Sequence, residues 1–407
     1  MLTSILIQIV NINQVIPMAW ITAAEALSIL NVRPQTLYAN VSRGKIRAQP
    51  DSKDSRRSLY HREDVMRMAK RTNGRRTVEV IAAQAIEWGD PVLPSAISTV
   101  IDGQLWYRGQ DAIELSRTAS LEEAAALLWE CPKSAVHRAL TASDRPVRYF
   151  NGFSNAARCG LVALAERSAS DLPSIGRALP VLREEAASVL ASLTEAMLGI
   201  DMLSSERPLS ESISRVWERP DAEDVIRRTL VLLAEHELNA SAFAVRVTIS
   251  TGASLAAGVL SGLASLTGPL HGGATQSLNA LIASTKHSGA EQAVREWLAQ
   301  GRALPGFGHP LYPDGDIRAR AMLEKLPVQG TYKQLMEYVA HSVGEPPNID
   351  FALALLADTY DLPKEAPFIL FALSRCTGWL AHALEQVAAR RLIRPRARYV
   401  GIPAKSS

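Results

Sequence analysis

The 407-residue sequence predicts a mainly α-helical protein that carries a small winged helix–turn–helix unit towards its N-terminal end. Three observations lead there. From about residue 79 onward, stretches rich in Ala, Leu, Ser and Glu recur at helical lengths, opened by capping signals and closed by glycine or proline. Strand patterns are confined to short segments. Charge is segregated: residues 1–76 hold 13 Lys/Arg against 5 Asp/Glu, a balance of +8 in a chain whose formal net charge is +3. The rest of the chain is therefore acidic, and phosphate contact would draw on the basic end.

Residues 1–17, MLTSILIQIVNINQVIP, are apolar but interrupted by Gln8, Asn11, Asn13 and Gln14. They lack the basic segment and cleavage site of a signal peptide and are too short and polar to span a bilayer. They are expected to be a dispensable, non-native or disordered extension, with Met18 as the natural start. Residues 18–71 read as a unit of their own. Thr22 and Glu25 form a capping box for a helix through Leu30, and a second helix runs from about Arg33 to Arg43, stopped by Gly44. Short strands at residues 45–48 and 58–61 flank the polar turn DSKDSRR, and a third helix follows from Arg62. This arrangement resembles the small DNA-binding domains of the MerR and excisionase type. That resemblance would place Arg33, Gln35, Thr36 and Asn40 near base edges and Lys53, Arg56 and Arg57 against phosphates. The same residues are also read as a solvated basic module that docks onto protein. Residues 72–78 are a polar linker.

The body begins near residue 79. Asp102-Gly103 is the turn of a β-hairpin, and SLEEAAALLWE (120–130) opens on a capping signal and continues as an amphipathic helix. Residues 154–200 are expected as two helices divided by Pro173 and Pro180, and a long helix runs from Val225 to about Leu238. Residues 240–266 form an apolar helix pair broken at glycines; Arg246 and those breaks exclude a membrane span. Amphipathic helices are expected at 291–300 and 318–325, and a long helical run at 368–391 contains Gly378. Cys131, Cys159 and Cys376 have neither metal-ligand spacing nor an even count, so a reducing, cytoplasmic setting is the default.

Chemistry concentrates in three stretches: GPLHGGA (268–274), GFGHPLYPDGDIRAR (306–320) and NIDFALALLADTYDL (349–362 from its Ile). His271 and His309 lie in glycine-rich loops, where backbone can approach a ligand closely. Asp350 stands before an apolar run and is expected to open a helix there, its carboxylate at the positive end of the dipole. Arg318, Arg375 and Arg394 follow at intervals. Two imidazoles, a carboxylate and several guanidiniums suit deprotonation beside a carbonyl with an anionic partner held in place. His61, His137, His287, His341 and His382 read as structural or exposed.

These stretches, together with HELNASAFAVRVTIS (236–250), resemble the citrate synthase family from about Glu79 to Gly401. The resemblance implies a citrate synthase fold, with a large helical domain (79–272 and 362–407) and a small one (273–361) that closes over the ligands of a homodimer. It implies acetyl-CoA or propionyl-CoA as co-substrate, oxaloacetate as its partner, and no permanently bound cofactor or metal. Asp350 would remove the methyl proton, His271 would hydrogen-bond the thioester oxygen, and His309 would polarise the keto group. His236, Ser241, Arg318, Arg375 and Arg394 would serve substrate binding, Arg394 from the partner subunit. Two departures stand out. Pro310, Leu311, Tyr312 and Pro313 follow His309 where bacterial relatives carry basic residues, and Asp316-Ile317-Arg318 replaces Asp-Pro-Arg. Alternatives are a 2-methylcitrate synthase, citryl-CoA cleavage, or a metabolite sensor reporting through the basic N-terminal module.

Overall fold

The computed structural model describes residues 20–30, 37, 40–41, 45–51, 58–66, 68, 93–141, 155–201, 203, 207–269, 271, 274–397 and 401. Contacts divide the chain into two units, residues 1–94 and 95–407. The expected N-terminal extension and linker lie outside the described residues.

In the first unit, strands β1 (Trp20–Ile21), β2 (Ala48–Pro50) and β3 (Ser58–His61) form an antiparallel sheet in the order β1-β3-β2. Helix α1 (Ala23–Leu30) is opened by the expected box: Thr22 N–H donates to Glu25 Oε2 at 2.8 Å and Glu25 N–H to Thr22 Oγ1 at 3.3 Å. Ile21, Ala26, Leu30, Leu37, Ile46, Tyr60 and Val65 make a separate apolar core. Leu37, Asn40 and Val41 are helical, and so are residues 62–66, in agreement with the second and third expected helices where these are described. Strand β2 starts at Ala48 rather than at the expected Lys45, and the preceding Arg47 is turned to Asp64. Its backbone N–H and Nε donate to the buried Oδ2 at 3.1 and 2.7 Å.

The second unit opens with a small meander, β4 (Ser98–Ile101), β5 (Gln104–Tyr107) and β6 (Gln110–Asp111). Asp102 and Gly103 turn the hairpin with φ of 51° and 72°, the left-handed pair that matches strand twist. Helices α2 (Ala112–Thr118), α3 (Leu121–Trp129) and α4 (Lys133–Leu140) follow. The Ser120/Glu123 box is complete at the start of α3. Helices α5 (Ala156–Ser170) and α6 (Leu179–Leu198) divide at residues 171–178. Pro180 thus belongs to the first turn of α6, where a missing N–H goes unnoticed, rather than to the break. After α7 (Leu209–Val216), helix α8 (Glu223–Leu233) ends five residues before the expected Leu238. The buried Tyr107 hydroxyl explains this. It lies 3.1, 3.1 and 3.0 Å from the carbonyls of Val231, Leu232 and Glu235, and accepts from Glu235 N–H at 3.2 Å. Its one proton serves a carbonyl at this end of the helix and its oxygen accepts the Glu235 N–H, so the chain leaves the helix with these groups paired.

Helices α9 (Ala240–Ser250) and α10 (Leu255–Leu266) form the expected pair, turned at Gly252. Gly258 and Gly262 are not breaks. They lie inside α10, and a Cβ on Gly262 would come within 2.8 Å of Val245 and 2.9 Å of Trp379. Helices α11 (Ala274–Ser288), α12 (Ala290–Ala299), α13 (Ile317–Leu323), α14 (Gly330–Ser342) and α15 (Ile349–Thr359) pack largely on one another. The 24-residue α16 (Ala366–Ala389) is buried along most of its length and packs on α3, α6, α8, α9 and α10. Among the described residues, no helix is long and apolar enough to cross a membrane.

Helix α16 is close to its neighbours because of Gly378. A Cβ there would lie 2.0 Å from Glu235 Oε2 and 2.4 Å from the Ala234 carbonyl. Gly378→Ala should therefore destabilise the protein by about 1–3 kcal/mol, the usual range for overpacking. Urea unfolding checks this, and an unchanged midpoint would contradict the packing described.

Candidate active site

The candidate side chains converge on His236, which stands in the turn between α8 and α9. That turn exists because Tyr107 ends α8 and Asn239 opens α9, its Oδ1 accepting from Ala242 N–H at 3.1 Å. His236 is buried. Its Nε2 lies 2.9 Å from the Tyr312 hydroxyl, and its ring meets that of His309 edge-on at 5.2 Å. Burial, then the charges of Arg318 and Arg375 and the proximity of His309 and His271, hold its pKa well below the usual imidazole value. Burial thus favours the neutral ring.

His271 lies between α10 and α11 and is half-buried; burial and then Arg375 push its pKa down to about 4. Its Nε2 is 2.9 Å from the fully buried Ser241 Oγ. That hydroxyl accepts from Trp379 Nε1–H at 3.0 Å and also lies 2.7 Å from Asn239 Oδ1. It has a single proton to give, to Asn239 or to His271. Turned towards His271, it leaves the imidazole proton on Nδ1. Ser241 is thus held by protein groups on three sides.

His309 sits in the loop after α12. Gly306 and Gly308 take φ of 83° and 66°, a left-handed backbone that explains why glycine flanks Phe307. The loop is pinned to the start of α15: Asn348 N–H donates to the Gly306 carbonyl at 2.8 Å, and Gly308 N–H to that of Pro346 at 2.9 Å. His309 Nδ1 accepts the Leu311 N–H at 3.2 Å, so a neutral ring carries its proton on Nε2. Burial and then Arg318 push this histidine down to about 4.

Two of the buried cations, Arg318 and Arg375, are 2% and 1% exposed. Arg318 is paired with Asp316, its Nε and Nη2 at 2.9 and 2.8 Å from the two carboxylate oxygens. Arg375 donates Nε–H to the Leu233 carbonyl at 3.0 Å, but its buried Nη2 has no protein partner. Burial is the main influence on Arg375, pushing it down to about 10, with the nearby Glu235 opposing. Glu235 is itself fully buried; its Oε1 accepts from Ser98 Oγ and lies 3.1 Å from His382 Nε2.

Asp350 does not cap its helix. Asn348 does: its Oδ1 accepts Asp350 N–H at 3.0 Å, while its Nδ2 donates to the Gly308 carbonyl at 3.0 Å. The expectation that Asp350 opens the helix is thus corrected by two residues. The asparagine two positions upstream does the capping, and the Asp350 carboxylate is left free in the first turn. Burial, against a smaller lowering by Arg318, pushes its pKa up to about 6.

Arg394 is exposed in the segment after α16, apart from the cluster of its own chain. That segment is anchored on α9 by the Ile393 N–H to Ser250 Oγ bond at 3.1 Å. Among the DNA-contact candidates only Asn40 falls within the described residues; Arg33, Gln35, Thr36, Lys53, Arg56 and Arg57 lie outside them. Sequence reasoning passed over Asp316, Asn348 and Tyr312 as working parts. The Asn-Ile-Asp spacing is an N-cap signal that points to Asn348. Among the described residues, no cluster of His, Cys, Asp and Glu is gathered as a metal site.

Comparison with known proteins finds citrate synthases in sequence and in structure. Residues 87–396 match the family described as citrate synthase, C-terminal domain. A citrate synthase of Haloferax volcanii is 30% identical over 74% of this chain and 90% of its own. A 2-methylcitrate synthase of Mycobacterium tuberculosis is 35% identical over 43% of this chain and 47% of its own. In structure, the citrate synthase of Thermoplasma acidophilum in ternary complex with carboxymethyl coenzyme A and oxaloacetate superposes with a TM-score of 0.66. It is 25% identical, over 80% of this chain and 97% of that one.

The raised Asp350 pKa has a consequence for stability. A carboxyl whose folded pKa lies near 6, above an unfolded value of 3.8, binds more protons folded than unfolded between those values. Its ionisation therefore lowers stability as pH rises through that window. Asp350→Asn should stabilise the fold at pH 7.5 by about 1–3 kcal/mol, the gain shrinking as pH falls towards 4. Chemical denaturation across pH checks this; a variant less stable than wild type at pH 7.5 would contradict it.

Proposed function

The chain belongs to the citrate synthase family, and we infer that it condenses acetyl-CoA with oxaloacetate and water to give citrate and CoA. The observation that carries this reading is the gathering of His309, Tyr312 and the buried Arg318 and Arg375 about His236, with Asp350 in the first turn of α15. In the proposed mechanism Asp350 takes a proton from the acyl methyl. A carboxyl near 6 is a stronger base than an ordinary aspartate and is still ionised at neutral pH. His271, with Ser241 turned towards its Nε2, donates Nδ1–H to the thioester oxygen as the enol forms. His309 presents Nε2–H to the keto oxygen and gives up that proton to the alkoxide as the carbon–carbon bond closes. Water then cleaves the citryl thioester, releasing CoA.

The free Arg375 Nη2, Arg318 and His236 would hold the carboxylates of oxaloacetate, with Arg394 supplied by the second subunit of a homodimer. Helices α11–α15 would make up the small domain (273–361), closing on the large one (79–272 and 362–407). A cytoplasmic setting fits this chemistry. The acyl chain is a finer matter: one methylene separates acetyl-CoA from propionyl-CoA by only about 1–3 kcal/mol, and 2-methylcitrate formation is the alternative that a propionyl-CoA assay addresses.

For the N-terminal unit we keep DNA contact as a proposal, supported by the balance of +8 over residues 1–76 and by the unit's sheet-and-helix core. Arg47, tied to Asp64, is not a free phosphate ligand. Specific DNA binding should survive competitor DNA, with a salt slope that falls when Arg56 and Arg57 are neutralised. Weak, sequence-blind binding would remove the proposal.

Two variants test the catalytic reading. Asp350→Ala should cut turnover about 10²–10⁴-fold while oxaloacetate still binds; near-wild-type turnover would remove Asp350 from the mechanism. Arg375→Lys should weaken oxaloacetate binding about tenfold in isothermal titration, because an ammonium cannot reproduce the planar two-point grip. Unchanged affinity would give Arg375 a packing role.

A further inference from the structure

We propose that Tyr312 is a positioning residue for the keto acid: its hydroxyl fixes which nitrogen of His236 carries the imidazole proton, so that His236 meets the substrate as a hydrogen-bond donor. The proposal rests on the reading of this site as an oxaloacetate site and adds a residue to it.

Tyr312 is 2% exposed and wedged among the working groups. Its hydroxyl is 2.9 Å from His236 Nε2; its ring lies 5.6 Å from the His236 ring and 5.0 Å from the His309 ring, centre to centre. The Arg318 guanidinium carbon stands 5.3 Å from the ring centre, so the tyrosine also forms one wall of the anion site. The backbone holds it there. Tyr312 N–H donates to the His309 carbonyl at 2.9 Å, and Gly315 N–H to that of Tyr312 at 3.0 Å. Pro310 and Pro313 flank it in sequence and restrict the loop further.

The proton count then limits what the pair can do. A neutral imidazole has one N–H and one lone pair, and a phenol has one O–H and an acceptor oxygen. His236 stays neutral for the reasons given above, and burial pushes the phenol up to about 12, so it too keeps its proton. The pair thus holds two protons, and only one fits between Nε2 and the hydroxyl oxygen. With tyrosine donating, the other proton is on His236 Nδ1. That is the arrangement a substrate of carboxylate and keto oxygens needs, since it offers acceptors alone. Without the hydroxyl, either nitrogen can carry the proton. An Nδ1 lone pair would then repel a carboxylate in about the fraction of molecules that choose Nε2–H.

Tyr312→Phe removes the hydroxyl and keeps the ring. The expected result is a rise of about tenfold in both the KM and the calorimetric Kd for oxaloacetate, within what one neutral hydrogen bond supplies, with the KM for acetyl-CoA unchanged. In nitrogen-15 spectra, His236 should change from a single Nδ1–H tautomer in the wild type to a mixture in the variant. Unchanged oxaloacetate affinity would overturn the proposal, and so would an equal loss for both substrates together with a lowered unfolding midpoint. Should the variant not fold, the wild-type spectrum decides alone: a proton on His236 Nε2 overturns the assignment. Failure of the functional reading is distinguishable, because wild-type enzyme would then release no CoA from acetyl-CoA and oxaloacetate, whatever the tautomer.

Discussion

The Asp316 carboxylate, 3% exposed as a residue, accepts from Arg318 N–H, Nε–H and Nη2–H and from Ile349 N–H, all between 2.8 and 3.0 Å. Burial alone would raise its pKa, but the Arg318 charge and hydrogen bonds hold it below the ordinary carboxylate value. In return, Asp316 keeps Arg318 cationic against the burial that would lower it. The same carboxylate caps α13 and reaches the first residue of α15, the helix that carries Asp350. A single buried anion thus fixes the Arg318 guanidinium and the start of the helix that carries Asp350. Breaking a buried pair by removing one partner typically costs about 3–5 kcal/mol, because the other charge is left stranded.

Asn348 extends that constraint. One side chain caps the helix of Asp350 and holds the backbone immediately before His309. Asp350 and His309 therefore lie on segments tied together directly, and the proposed reaction would need both held on one pair of substrates. Burial then tunes each group for its part. It keeps the imidazoles neutral and able to donate without charge, and it brings the carboxyl near 6. Hydrogen bonds to developing oxyanions are strongest where water is excluded.

Much of this was legible in the residues. The capping boxes at Thr22 and Ser120, the Asp102-Gly103 turn and the glycine breaks around His309 are local signals, and the structure repeats them. Where reading failed, the cause was a partner distant in sequence. Helix α8 stops early where Tyr107, over 120 residues upstream, donates its one proton among the carbonyls there and accepts the Glu235 N–H. Gly262 punctuates nothing; it admits Val245 and Trp379 from other elements, and the expected helix around Gly378 conceals how closely Glu235 approaches it. Asp316 and Tyr312 look like ordinary loop residues until folding brings Ile349 and His236 to them. Asp350 was misread as a cap because Asn348 and Asp350 are both good capping residues, and only the geometry of the turn chooses between them.

The measurement that bears most directly on this account is thiol release by the full-length protein, with acetyl-CoA and oxaloacetate supplied together and each supplied alone. The account predicts CoA release only when both are present, one citrate formed per CoA, and a rate that falls as pH drops below about 6 with the protonation of Asp350. CoA release that does not depend on oxaloacetate, or none with acetyl-CoA or propionyl-CoA, would contradict it.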